Sequence, residues 1–221
     1  TLLAVPLFIF MGTILEKSGI AASMLKNMAL AFRSIKGGLS ISIIVVGALL
    51  AASTGIVGAT VVTMGLMSLP ILINQGYDKS FSAGLVASTG TLGQIIPPSI
   101  ALVLLGDVMS NAYQRAQNDM GIFSQQTVTV GDLFIGSIVP SALICIGYLI
   151  YTIYKNQMNP NINDHTIDSK INIINLLKTL ALPFLLIFLV LGSIFAGIAT
   201  PTEAAAIGAF GALIIALVNG K

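Results

Sequence analysis

Apolar residues dominate six runs of the chain, 1–16, 38–74, 80–111, 132–154, 176–198 and 203–219, and polar residues gather between them. A bilayer core of roughly 30 Å needs about 20 such residues in a helix. The pattern predicts an all-α integral membrane protein, a multi-span helical bundle forming one transmembrane unit over 1–221. Segment 17–37 differs, because its apolar residues recur at helical spacing but Lys26, Arg33 and Lys36 interrupt them. It reads either as an amphipathic helix in the interface, with its basic residues toward headgroups, or as a helix packed on its own protein.

Two of the long runs contain breaks. A continuous helix over 38–74 would extend about 55 Å at 1.5 Å per residue, too long for one crossing. Its middle, Ala51-Ala52-Ser53-Thr54-Gly55-Ile56-Val57-Gly58-Ala59-Thr60, is small, hydroxylated and Gly-bearing, which suits a turn. A re-entrant helical hairpin over 38–74 fits better than two full crossings, and its tip is tolerated only beside protein or a polar cavity. Run 80–111 carries Gly90-Thr91-Leu92-Gly93-Gln94-Ile95-Ile96-Pro97-Pro98-Ser99. Pro97 and Pro98 donate no backbone hydrogen bond and push their predecessors toward extended geometry. This predicts a broken helix, with half-helices over 79–92 and 99–111.

Sidedness follows from counting. An even number of crossings in 38–74 places Lys17, Lys26, Arg33, Lys36, Lys79, Lys155, Lys170, Lys178 and Lys221 on one face and leaves only Arg115 on the other. The positive-inside rule makes the crowded face cytoplasmic. Segment 112–131 is then a periplasmic loop and 155–175 an Asn-rich cytoplasmic loop. Tyr148, Tyr151 and Tyr154 fall where an interfacial aromatic belt belongs.

Composition narrows the function. The chain is 56% apolar and 8% charged, against about 25% charged in an ordinary soluble domain, and its mean hydropathy is +0.97. A net charge of +2 without a basic cluster excludes a nucleic-acid partner. One cysteine, Cys145, excludes an internal disulfide framework, and one histidine, His165, excludes a multi-His metal centre. Thr1 followed at once by an apolar run is neither a signal peptide nor a natural start, so the sequence is expected to be an internal fragment of a longer chain.

Ionisable residues within spans are the usual functional clue, and Glu16, Asp78, Asp107 and Asp132 all fall near span ends. Thr200-Pro201-Thr202-Glu203 has the spacing of a capping box, with Thr200 at the N-cap, Pro201 at N1 and Glu203 reaching back. The sharper alternative gives Glu203 a charge role in an ion or proton path. The uncharged breaks offer a different site. Ser53, Thr54, Gly55, Gly58 and Thr60 at the tip, with Thr91, Gly93, Gln94 and Ser99 at the broken helix, supply hydroxyls, an amide and freed carbonyls. Such neutral oxygens suit a dehydrated Na⁺, with Ser53, Thr54, Gly93 and Ser99 as the ligand set, and half-helix N-termini suit an anion. Discontinuous helices with both features are the general design of secondary transporters. The bland reading is that small residues and prolines merely permit close helix packing.

Three stretches, STGIVGATVVTMGLMSLPILINQGY, ASTGTLGQIIPPSIALVLLG and GIATPTEAAAIGAFGAL, together resemble the large membrane subunit (DctM-type permease) of tripartite ATP-independent periplasmic, or TRAP, transporters. The resemblance runs over essentially the whole chain. It implies an ion-transporter-like elevator fold, of which this chain holds the first inverted repeat and the start of the second. By position, Ser53, Thr54, Gly55, Gly58 and Thr60 match the first hairpin's tip, and Gly90, Thr91, Gly93, Pro97, Pro98 and Ser99 the broken helix. The resemblance also implies Na⁺-coupled uptake of a small organic anion of carboxylate, dicarboxylate or keto acid type. A periplasmic substrate-binding protein would deliver it, a small membrane subunit would sit alongside in the bacterial inner membrane, and Na⁺ would be the coupling ion with no other cofactor.

Two rival classes remain. A citrate or dicarboxylate/Na⁺ symporter of similar elevator fold would share the hairpin and broken helix without a binding protein. An intramembrane enzyme is the weaker rival, because no His-rich, Asp-pair or Ser-base constellation lies inside a span.

Overall fold

The computed structural model describes residues 2–32, 34–122, 126–158 and 173–218, with side chains for all of these except Thr54, residues 173–179 and Val218. Every regular element among the described residues is helical. Helix α1 (Ala4–Lys17) meets α2 (Ile20–Ala31) at 59°, and the two together are long and apolar enough for one bent crossing. Helices α3 (Gly38–Thr54) and α4 (Val57–Asn74) follow, then α5 (Lys79–Thr91), a 3-10 turn at Leu92–Gln94, and α6 (Ile100–Asp119). The chain continues through α7 (Val130–Met158), α8 (Ile173–Phe195) and α9 (Pro201–Val218). By length and composition α4 and α7 each suffice to cross a membrane, whereas the apolar lengths of α3, α8 and α9 are shorter.

Helix α3 is the centre of the fold. A helix apolar on every side has no face for water, and α3 buries Leu39, Ile43, Ile44, Val46 and Leu50 among α1, α2, α4, α5, α7 and α8. Its three buried serines are satisfied locally, Ser40 donating to Gly37 O and Ser42 to Gly38 O, each at 2.7 Å, and Ser53 to Leu50 O at 2.8 Å. A second seam joins α1, α8 and α9, where α9 presents Ala204, Ala205, Ala209 and Ala212. Small side chains let these helices approach closely.

Helix α2 buries Ile20, Ala21, Met24, Leu25 and Met28 and packs on α3 and α8, with Lys26 exposed. The buried face of α2 therefore lies on protein. Helix α6 runs on through Asp119, so 112–119 continues the helix where the sequence pattern suggests a loop. Ala, Gln and Arg favour helix, and nothing ends it before the left-handed Gly121. Gln117 then clamps the returning chain: its amide donates to Gln126 O at 2.8 Å and accepts from Gln126 N at 2.9 Å. Helix α7 extends to Met158, and the centre of the 155–175 segment, His165 included, lies outside the described residues.

The C-terminal end of α7 is tied to the start of α3. Asn156, 1% exposed, donates to Ser40 Oγ at 2.8 Å and to Gly37 O at 3.4 Å.

Candidate functional site at two helix breaks

At the α3–α4 break, Gly55 adopts φ 61° and its N–H donates to Ala51 O at 3.1 Å. Glycine reaches this left-handed geometry without a Cβ clash, which ends α3. Ile56 is extended, and α4 begins at Val57. Ser53 and Thr60 are buried on either side, donating to Leu50 O and Ile56 O at 2.8 Å each. Gly58 is exposed, with open space where a Cβ would stand. The Thr54 side chain lies outside the described residues.

At the second break α5 ends at Thr91, and the chain passes through the 3-10 turn and unwinds over Ile95–Pro98. Ser99 restarts the helix as the N-cap of α6. Its hydroxyl accepts from Leu102 N at 3.4 Å and donates to Gln94 O at 2.8 Å. Ser141 on α7 places its hydroxyl between Ser137 O at 2.6 Å and Ile95 O at 2.9 Å, so a second carbonyl freed by the break meets a shared donor from a neighbouring helix. Pro97, Pro98 and Ser99 are all buried.

The fold brings the two breaks together. Gln94 Nε2 donates to Gly55 O at 3.4 Å. A Cβ at Gly93 would stand 3.2 Å from Ala51 O, one at Gly90 2.3 Å from Val61 Cγ2, and one at Gly55 3.2 Å from Ile100 Cγ1. Four of the residues singled out by sequence, Gly55, Gly90, Gly93 and Gln94, therefore lie on one packed seam between hairpin and broken helix. Thr91 is placed apart: it is exposed, and its hydroxyl donates to Ser88 O at 2.7 Å. The hydroxyls of Ser53, Thr60 and Ser99 donate their protons to backbone carbonyls, so any ligand role would fall to their oxygens as acceptors. Among the described residues no group of three or more His, Cys, Asp or Glu is arranged to hold a metal ion.

The family model for the DctM component of the tripartite ATP-independent periplasmic transporter matches residues 1–221. The chain belongs to this family. It is 32% identical over 98% of its length to the C4-dicarboxylate TRAP transporter large permease protein DctM of Rhodobacter capsulatus, and covers 48% of that protein. The corresponding permease of Vibrio cholerae is 34% identical over 98% of this chain, with 44% of the relative covered. An ectoine TRAP transporter large permease, TeaC of Halomonas elongata, is 31% identical over 93% of the chain and is covered to 44%. The chain thus spans about half the length of the curated relatives it matches.

Elsewhere in this permease segment, α9 opens on reciprocal bonds: Thr200 N and Oγ1 both donate to Glu203 Oε2 at 2.8 Å, and Glu203 N donates to Thr200 Oγ1 at 3.4 Å. The same device opens α7, where Thr129 N and Oγ1 donate to Asp132 Oδ2 at 2.8 and 2.7 Å. That cap escaped the sequence reading, although T-x-x-D is a close variant of the capping-box signature. Both caps border one cavity of about 620 Å³ that Asp107 also lines. A second unforeseen contact links α1 to the hairpin: Thr63 Oγ1 donates to Glu16 Oε1. Glu16 at a span end gave no sign of a partner far along the chain, and only helix packing supplies it.

Proposed function

We propose that this segment forms part of a Na⁺-driven secondary transporter that takes up a small organic anion delivered by a periplasmic binding protein. The observation that carries the reading is the Gln94–Gly55 contact, which sets the hairpin tip against the 3-10 turn at the break of the second helix. Neutral hydroxyl and carbonyl oxygens at such a junction are ligands for a partly dehydrated Na⁺. Ser53, Thr54, Gly93 and Ser99 are the proposed ion ligands, with Gly55, Gly58, Thr60, Gly90, Gln94, Pro97 and Pro98 shaping the site. The N-terminus of α6, capped by Ser99, presents partial positive charge to an anion. On this reading 38–74 is a re-entrant hairpin and 80–111 a broken helix, both in the mobile domain of an elevator. They form the first of two inverted repeats, in the bacterial inner membrane beside a small membrane subunit. The names of the relatives, dicarboxylate and ectoine permeases among them, support transport of small carboxylate-bearing solutes without choosing between them.

The test is uptake by the whole transporter in proteoliposomes with its binding protein present. An inward Na⁺ gradient should drive accumulation. Ser53→Ala and Ser99→Ala should each weaken apparent Na⁺ affinity about tenfold, in line with the loss of one buried polar partner. Uptake that runs equally well on a K⁺ gradient, or unchanged Na⁺ dependence in both variants, would move the ion site elsewhere.

A further inference from the structure

A cavity of about 450 Å³ lies between the first half of α5 and the last turns of α7. Its lining changes character along its length. Asp78, Ser80 and Lys155 stand at the helix ends, while Phe81, Gly84, Leu85 and Tyr148 lie further along the helices. The step from Asp78 to Ser88 corresponds to about 15 Å of helix, enough to run from headgroup level into the hydrocarbon. Tyr77 stacks on Phe81 with centroids 6.2 Å apart, and Phe81 meets Tyr151 across the gap at 6.4 Å. Such aromatic girdles mark the membrane–water interface. Thr152 lines the same cavity, is 1% exposed, and its hydroxyl has no hydrogen-bond partner.

We infer that this cavity binds a membrane glycerophospholipid whose headgroup carries both a phosphate and a primary ammonium, as phosphatidylethanolamine does. The rim holds one base and one acid. Lys155 and Ser80 suit the phosphate. Asp78, whose Oδ1 accepts from Phe81 N at 2.9 Å, keeps acceptor capacity for the ammonium. A net-anionic headgroup would meet the Asp78 carboxylate without compensation, and a quaternary choline has no N–H to give it. The acyl chain follows Phe81, Gly84 and Leu85. Basic pockets between spans on the cytoplasmic side are a recurrent headgroup site, and the acid beside the base is what selects the zwitterion.

The whole transporter, purified in mild detergent and stripped of lipid, is titrated with phosphatidylethanolamine, phosphatidylglycerol and phosphatidylcholine and read by native mass spectrometry. One phosphatidylethanolamine should be retained about tenfold more tightly than either alternative, the scale of one charge-assisted hydrogen bond. Gly84→Leu should lose that lipid, because no atom lies within 4 Å of a Cβ at Gly84 and the new side chain has the cavity to fill. Lys155→Gln, which leaves the cavity open, should weaken the same lipid about tenfold and carries the test alone if Gly84→Leu does not fold. Equal affinity for the three lipids overturns the inference, as does an unchanged lipid count in both variants. Cross-linking of Ser80→Cys to another protein subunit would assign the cavity to protein instead.

Discussion

Replacing Gly90 by Ala tests the seam between hairpin and broken helix most directly. A Cβ at Gly90 would stand 2.3 Å from Val61 Cγ2 and 3.1 Å from Val61 Cα, so a rotamer change of Val61 relieves only part of the clash. The backbone of α4 must then move away from α5. Overpacking of this kind costs about 1–3 kcal/mol. Alanine also gains roughly 0.8–1 kcal/mol over glycine in a helix, which masks part of that cost. Gly84 on the same helix is the matched control, since a Cβ there meets nothing within 4 Å. The propensity gain largely cancels between Gly84→Ala and Gly90→Ala, and the difference of about 1–3 kcal/mol is the overpacking alone. Thermal unfolding of the purified transporter, followed by the loss of its monodisperse size-exclusion peak, reads that difference. Gly84→Ala should match or exceed the wild type, and Gly90→Ala should unfold at a clearly lower temperature. Na⁺-driven uptake should fall in Gly90→Ala, because the strain enters one turn from Gly93 and Gln94. Equal stability of the two variants would refute the close approach of α4 and α5 and the shared seam with it.

Other outcomes follow from single contacts. Asn156→Ala removes the donor to Ser40 Oγ and Gly37 O and should cost about 1–3 kcal/mol by chemical denaturation; no measurable loss would argue against the α7–α3 tie. Glu203→Gln should fold and transport nearly as the wild type, because its amide oxygen still accepts from Thr200 N, whereas Glu203→Ala should lower stability with coupling intact. A Gln variant that folds normally and fails to transport would give Glu203 a charge role beyond the cap. Cysteines at Asn118 and Asn163 in a Cys145→Ala background should react with an impermeant maleimide from opposite sides of the membrane, and equal labelling of both from outside would overturn the sidedness.

What the sequence determines by itself is what acts over a few neighbouring residues. Apolar runs specify helices, Gly55 specifies where α3 stops, Pro97-Pro98 specify the unwound stretch before α6, and Thr200-x-x-Glu203 specifies how α9 begins, because dihedral limits and missing N–H groups are local properties. Helix ends are less well determined. The α6 extension to Asp119 depends on propensities that any loop could outweigh, and on the Gln117 clamp that returns the chain. Which polar residues meet was settled only in three dimensions. Gln94 reaches Gly55, Ser141 reaches Ile95 and Asn156 reaches Ser40, 39, 46 and 116 residues apart in sequence. The face that α2 buries and the pairing of Glu16 with Thr63 are of the same kind. Each depends on how closely helices pack, and that closeness is set by the glycines and alanines of both partners at once. A side chain's distant partner is a property of two surfaces, and one stretch of sequence describes only one of them.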